Sequence, residues 1–336
     1  MARISSAQIL LVPALLMGSL GLAHADDFYK GRTLSIVAGF STGGGYDLYG
    51  RNLARHLGKH IPGNPTIVVQ NQPGAGSLTA VRSLDGNAPK DGTVMAIFNP
   101  GLVTQSFIEP QMVRVDFRKV AWIGAVTPDF RVCYGFGPNG VKSWDDMMKR
   151  KEFILGSTAR GSGNYINGAT LRVVFNAPVR QILGFPGSGD QRIAIERGEL
   201  DGDCGSYSSI PADWIASHKA HPFVRFIEQR PPEIPESATY VGNFAKSDEQ
   251  KQILDVVNVG DEIGRPFIMS AQVPADRLAI VRKAFNETMT DPAFLADMEK
   301  QQLPVNPLTA EQSEAIVVKL AKASPAAIAK AKAIYQ

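Results

Sequence analysis

The sequence predicts an α/β protein made of two lobes with a cleft between them. Three observations carry this reading. Short apolar runs alternate with helical patterns along almost the whole chain, as expected for mostly parallel sheets covered by helices. That alternation forms two similar series, each with glycine-rich loops between a strand and the following helix. A proline-rich piece, Pro231-Pro232-Glu233-Ile234-Pro235, reads as a rigid connector.

The chain opens with a targeting pattern. Arg3 supplies a positive start, Ile9–Leu22 an apolar stretch, and Ala23-His24-Ala25 a small-x-small cleavage site. Residues 1–25 are therefore expected to be a cleaved signal peptide, with the mature chain starting near Asp26. An uncleaved anchor is the competing reading, but the apolar stretch is short for a span. No later stretch approaches ~20 apolar residues, so the mature chain is expected to be soluble.

Of 336 residues, 44% are hydrophobic and 20% charged, an ordinary globular composition. The net charge of +3 comes without a block of consecutive basic residues, which argues against nucleic acid. Cys133 and Cys204 lie far from the signal, so no lipid-anchoring cysteine follows it. In an exported chain they leave two possibilities open, a disulfide or a pair of buried free thiols.

The first series begins with an apolar strand at Thr33–Phe40, three consecutive glycines, and a helix from Asp47 toward His60. Thr66–Gln70 is a β-rich run, followed by the turn Asn71–Gly76 and a short helix near Ser77–Leu84. Thr93–Phe98 is the third strand. The second series starts with a strand at Phe130–Phe136. Ser143 caps a helix with acids in its first turn. Strands follow at Phe153–Ser157, Val179–Leu183 and Leu200–Cys204, with helices after the first two of them. Beyond the proline connector come helices near Asp248–Val257, Asp276–Thr288, Pro292–Gln301 and Thr309–Lys322, and one strand at Pro266–Ser270.

Four loops share one design: Ser41–Asp47, Gln72–Ser77, Thr158–Asn164 and Pro186–Asp190. Each ends a strand in small residues and opens a helix. In open α/β sheets ligands bind at the carboxyl ends of strands, where such loops lie. Glycine lets a ligand approach the backbone, and a helix N-terminus attracts an anion. Contacts are therefore expected from Ser41, Thr42, Gly43, Gly44, Gly45, Tyr46, Asp47, Gln72, Asn99, Ser157, Thr158, Ala159, Arg160, Gly161, Ser162, Gly163, Tyr165, Gly187 and Ser188.

Competing chemistries find little support. The glycine spacing fits neither a dinucleotide fingerprint nor a phosphate loop. His56 and His60 stand four apart on a helix, a candidate metal pair without a third ligand nearby, and read more simply as a solvated face. His218 and His221 read as superficial. Of the acid pair Asp201 and Asp203, one can face the cleft. No catalytic residue, cofactor or metal is expected.

In order, these segments make the chain resemble the solute-binding receptors of tripartite tricarboxylate transporters, the Bug receptor family. Phe40-Ser41-Thr42-Gly43-Gly44-Gly45-Tyr46-Asp47 with Arg51 resembles that family's F-A-A-G-G-G-T-D-x-x-A-R, and Asn71–Gly76 its N-R-P-G-A-G. Asp91–Met95 resembles D-G-Y-T-L, Gly156–Ser162 resembles G-S-x-G-x-G-S, Gly198–Asp201 resembles G-Q-V-D, and Pro232–Pro235 resembles P-D-V-P. The likeness covers essentially the whole mature chain. It implies a type II periplasmic-binding-protein, or Venus-flytrap, architecture, with lobe 1 at 26–127 plus 246–336 and lobe 2 at 128–245. It implies that a small organic carboxylate is captured without turnover, in the periplasm, by a monomer that hands it to membrane transporter subunits. Tyr46 stands where the family has Thr, Ala159 where it has Gly, Tyr165 where it has His, and Gly205 where an Asp is common. With Phe185 and Tyr207, these tyrosines suggest a carboxylate with an apolar or aromatic body, paired to Arg160. An exported hydrolase acting on carboxylate esters or amides, or a periplasmic carboxylate sensor, are the alternatives.

Overall fold

The computed structural model describes residues 28–335. The signal expected at 1–25 lies outside the described residues. No helix of the described residues is long and apolar enough to cross a membrane.

Twelve strands run in chain order: β1 (Thr33–Ala38), β2 (Thr66–Asn71), β3 (Val94–Ile97), β4 (Ala121–Ala125), β5 (Arg131–Phe136), β6 (Phe153–Ser157), β7 (Val179–Leu183), β8 (Gly202–Ser206), β9 (Ala220–Arg225), β10 (Thr239–Tyr240), β11 (Pro266–Met269) and β12 (Leu308–Thr309). They form two six-stranded sheets, ordered β12-β4-β11-β3-β1-β2 and β10-β9-β5-β8-β6-β7. The first sheet takes strands from both ends of the chain and the second takes the middle, so the chain passes between them twice.

Each sheet is covered on both faces, and the side chains show it by alternating. In β1, Leu34, Ile36 and Ala38 join one core with Tyr49, Leu53 and Phe285, while Val37 joins the other with Leu78, Phe98 and Trp122. In β5, Val132 and Tyr134 pack with Trp214, while Cys133 packs with Leu155 and Phe223. A strand buried on both faces reads as a continuous apolar run, and that is how these strands were legible.

The sheets are mixed rather than mostly parallel. β1, β2 and β3 are parallel, as are β6, β7 and β8. β11, however, runs antiparallel to β3 and β4, and β5 antiparallel to β8 and β9. Strands such as β1 and β6 end at the edge facing the other sheet. A crossing chain arrives at that same edge, so β5 and β11 begin where their neighbours end and must run back. The two crossing segments lie side by side. Val126 N–H donates to the Arg265 carbonyl (3.1 Å), Arg265 N–H to Thr127 (2.9 Å), and Asp129 N–H to Asp261 (2.9 Å).

Among the elements that escaped the sequence reading are β4, β9, and the helices Gly101–Ile108 and Pro325–Tyr335. The histidine pair is not a solvated face. His56 Nε2 bonds Asp297 Oδ2 (2.8 Å) and His60 Nε2 bonds Asp291 Oδ2 (2.9 Å), clamping helix Gly45–Leu57 and the turn after it to helix Pro292–Lys300 and its cap. Among the described residues no group of three or more metal-type ligands is gathered.

Cys133 and Cys204 sit opposite one another on β5 and β8, both fully buried, and their sulfurs are joined across 71 residues of chain. Closing a loop of that length removes about 4 kcal/mol of unfolded-state freedom in the chain-entropy model. Replacing both cysteines by alanine should lower the unfolding free energy by about that amount in urea titrations. A midpoint unchanged by the double substitution, or by reductant, would contradict the linkage.

Candidate functional site

Between the sheets, where the crossing segments meet the strand-to-helix loops, lies a small enclosed space of about 50 Å³. Three helix N-termini converge on it. Gly44, Gly45 and Tyr46 open helix Gly45–Leu57, Ser162, Gly163 and Asn164 open helix Gly163–Phe175, and Ser188 opens helix Ser188–Glu196. None of the three has a side-chain cap. Four other helices are closed by their own residues, at Ser143, Ser247, Asp291 and Thr309. The uncapped ends leave backbone N–H groups and the positive ends of three helix dipoles at one cavity.

The floor is a buried charge network supplied by the two crossing segments. Arg131 Nη2 lies 2.8 Å from Asp129 Oδ2 and Arg131 Nε 2.6 Å from Asp261 Oδ1, while Arg265 Nη2 stands 3.4 Å from Asp129 Oδ1. All four side chains are at least nine-tenths buried. Burial would raise Asp129, but Arg131 and Arg265 together hold it below the usual carboxylate range. Burial and the neighbouring Asp129 push Asp261 up to about 7, against the pull of Arg131. Arg131 thus reaches the cavity already paired with two acids, of which Asp129 is the one held firmly charged.

Glycine makes this arrangement possible. A Cβ at Gly163 would overlap Arg131 Nη1, and one at Gly45 would come within 2.8 Å of Arg265 Nη2. The Arg265 guanidinium lies 4.3 Å from the Tyr46 ring centre, and Tyr46 in turn stacks on Phe40 at 4.6 Å. Arg131 Nη2 also donates to Asn99 Oδ1 (3.2 Å) and more weakly to Tyr46 Oη (3.4 Å). Burial pushes the Tyr46 phenol up to about 12, so it stays neutral.

Hydrogen bonds span the cleft around this floor. Ser41 Oγ donates to Asp190 Oδ2, Asn99 Nδ2 to the Gly161 carbonyl, and Arg192 Nη2 to the Gly43 carbonyl, each at 2.8 Å. Arg192 also donates to the Ser209 carbonyl and so stands between the small cavity and a wide open groove beside Leu48, Ile210 and Leu303.

Of the residues expected from the sequence, Gly44, Gly45, Tyr46, Asn99, Thr158, Ser162, Gly163 and Ser188 line the cavity. The rest stand outside it, for identifiable reasons. The Asp47 carboxylate accepts from Gly43 N–H, Arg51 and Asn71, which hold it below its ordinary value despite its burial. Thr42 donates to Asn71 and Ser157 accepts from Gln181. Gly43 and Gly161 present carbonyls to the other sheet, as described, and Gly187 packs against Ser41. Gln72 N–H continues the sheet by donating to Ala38. Tyr165 belongs to the hydrophobic core, and Ala159 does not reach the cavity. Arg160 is exposed and does not line it either. The cation at the site is Arg131, and of the four aromatic residues expected there only Tyr46 lines the cavity. A space of about 50 Å³, against the ~10–15 Å³ that one water needs, has room for a few waters or a compact head group.

Three lining groups stand out: Gln191, which the sequence reading did not name, Thr158, which it did, and Asp203, from the acid pair of which one was expected to face the cleft. Gln191 is 1% exposed, and neither its amide oxygen nor its amide nitrogen has a partner. The Thr158 hydroxyl is likewise unpartnered. Asp203, 5% exposed, accepts from Cys204 N–H (2.8 Å) and forms no ion pair with any described residue. Burial pushes its carboxyl up to about 6, in spite of that bond, of Arg131 and Arg192, and of a hydrogen bond from the Asn164 side chain. Buried polar atoms without partners are costly, so Gln191 and Thr158 point to a ligand that supplies them.

No protein-family model and no curated protein matches the sequence. Solved structures do match the fold. The periplasmic binding protein BugD is similar with a TM-score of 0.70 at 18% identity, over 89% of this chain and 96% of that one. MatC from Rhodopseudomonas palustris, with bound malate, is similar with a TM-score of 0.71 at 15% identity, over 91% and 99%. R. palustris Rpa4515, with adipate, gives 0.69 at 14% identity, over 88% and 97%. The chain therefore has the two-sheet fold of these periplasmic binding proteins.

The state of Asp203 has a measurable consequence. Its folded value near 6 lies above the ordinary carboxyl value, so its cost is absent below about pH 4, where it is neutral folded and unfolded. The cost builds as pH rises from about 4 to 6 and is complete above that, at on the order of 3 kcal/mol. Asp203→Asn should therefore stabilise the ligand-free protein at pH 8 and leave it unchanged at pH 4, by thermal unfolding. Equal gains at both pH values, or a loss at pH 8, would contradict this.

Proposed function

We propose that this chain is an extracytoplasmic solute-binding receptor of the Bug type, which captures a small organic carboxylate and delivers it to a tripartite tricarboxylate-type membrane transporter. The observation that carries the reading is the meeting of three uncapped helix N-termini with the unpartnered Gln191 and Thr158 side chains in one cavity between two sheets. Backbone N–H groups at helix ends bind a carboxylate without a dedicated cation, and a water-excluding cavity strengthens each bond. BugD, MatC and Rpa4515 support the same reading, two of them through the malate and adipate in their structures.

In this reading residues 26–127 with 246–336 form one lobe and 128–245 the other. They pivot on the paired segments near Val126–Asp129 and Asp261–Arg265. The bonds from Ser41 to Asp190, Asn99 to Gly161 and Arg192 to Gly43 hold the closed form. Binding and release then need no chemistry at the ligand. The protein acts in the periplasm as a monomer after removal of its signal, and its partners are the transporter's membrane subunits.

A thermal-shift screen of mono-, di- and tricarboxylates, including amino and aromatic acids, tests the reading. A ligand present at 100 times its dissociation constant should add about 2.7 kcal/mol to stability. A melting curve that no carboxylate moves would overturn the proposal.

A further inference from the structure

We infer that the ligand carries a cationic amino group beside its carboxylate, and that Asp203 holds that group. The inference rests on the carboxylate-receptor reading and narrows it to 2-amino carboxylates, zwitterions at neutral pH.

Only two charged side chains line the cavity, Arg131 and Asp203. Arg131 is already matched by Asp129 and Asp261 at 2.8 and 2.6 Å. Asp203 takes hydrogen bonds from Cys204 N–H and the Asn164 side chain but has no ion-pair partner among the described residues, so the formal charge left facing the ligand is negative. A site built for two carboxylates would leave that position neutral or positive, because like charges in a water-poor cavity repel strongly. Here the helix N-termini supply partial positive charge for one carboxylate, and Asp203 supplies negative charge for one ammonium.

The local geometry keeps Asp203 in place for this. It stands two residues before Gly205 on β8, so both lie on the same face of the strand. The Asp203 carboxylate leans over Gly205, where a Cβ would meet Oδ2 at 2.6 Å. One carboxylate oxygen takes the Cys204 N–H. Gln191, deeply buried on the helix across the cavity, offers one unpartnered acceptor and one unpartnered donor. An ammonium with three donors and a carboxylate with two acceptor oxygens meet that pair in a way a hydroxyl or a second carboxylate does not.

Isothermal titration with matched probes tests the inference: lactate against alanine, malate against aspartate, and 2-hydroxyglutarate against glutamate. Within each pair, hydroxyl replaces ammonium at nearly constant shape. In the tightest-binding pair the amino acid should bind at least tenfold more tightly, and Asp203→Asn should reduce that preference below threefold. A hydroxy acid binding as tightly as its amino partner in the unaltered protein overturns the inference, and this comparison needs no variant. A preference that survives Asp203→Asn overturns it as well. If only hydroxy or unsubstituted carboxylates bind, the receptor reading stands and the amino group falls. If no carboxylate of any kind binds, the receptor reading itself fails.

Discussion

Everything at the centre of this molecule depends on one guanidinium held between two carboxylates. Arg131 enters the second sheet as the first residue of β5, pairs with Asp129 and Asp261, and lies against the glycine that opens helix Gly163–Phe175. Removing one member of a buried ion pair typically costs 3–5 kcal/mol, because its partner is left charged and dry. The network therefore fixes the two crossing segments side by side. It also makes β5 and β11 run against their neighbours, since both strands start from it. The same four residues that join the sheets form the floor of the cavity.

Because both arginines of that network are already paired with acids, the site binds an anion by other means. The uncapped helix ends provide them, and the absence of side chains at Gly44, Gly45 and Gly163 is what exposes them. Phe40, Tyr46 and Arg265 form a stacked wall that excludes water and strengthens each of those bonds. The side-chain hydrogen bonds across the cleft are buried or half-buried, at Ser41–Asp190, Asn99–Gly161 and Arg192–Gly43. The fold thus separates two tasks: charged side chains hold the frame together, and backbone amides face the ligand.

Much of this was legible in the sequence, and the misses share a cause. Val179–Leu183 and Asp248–Val257 match the structure residue for residue, because period and caps are local signals. The glycine loops were legible for the same reason, and residues from three of the four line the cavity. Arg131, Asp129, Asp261 and Arg265 were not, since they are brought together only by the two crossings. A signal existed: an acid followed two to four residues later by an arginine, at the start of an otherwise apolar strand, occurs at both places. Arg160 was named from its loop position, which says nothing about which way a long side chain turns. β4, with its Gly124, and the alanine-rich helix Pro325–Tyr335 lack the contrast between faces that periodic reading needs.

The most direct test of the account is nuclear magnetic resonance of ¹⁵N-labelled protein, titrated with the carboxylate that raises its melting temperature most. Helix-end binding requires large amide shifts at Gly45, Gly163 and Ser188, with the Arg131 Nε signal nearly unmoved because its partners do not change. A large shift of Arg131 Nε with those three amides unmoved would show a carboxylate held by the arginine, and would contradict the account at its centre.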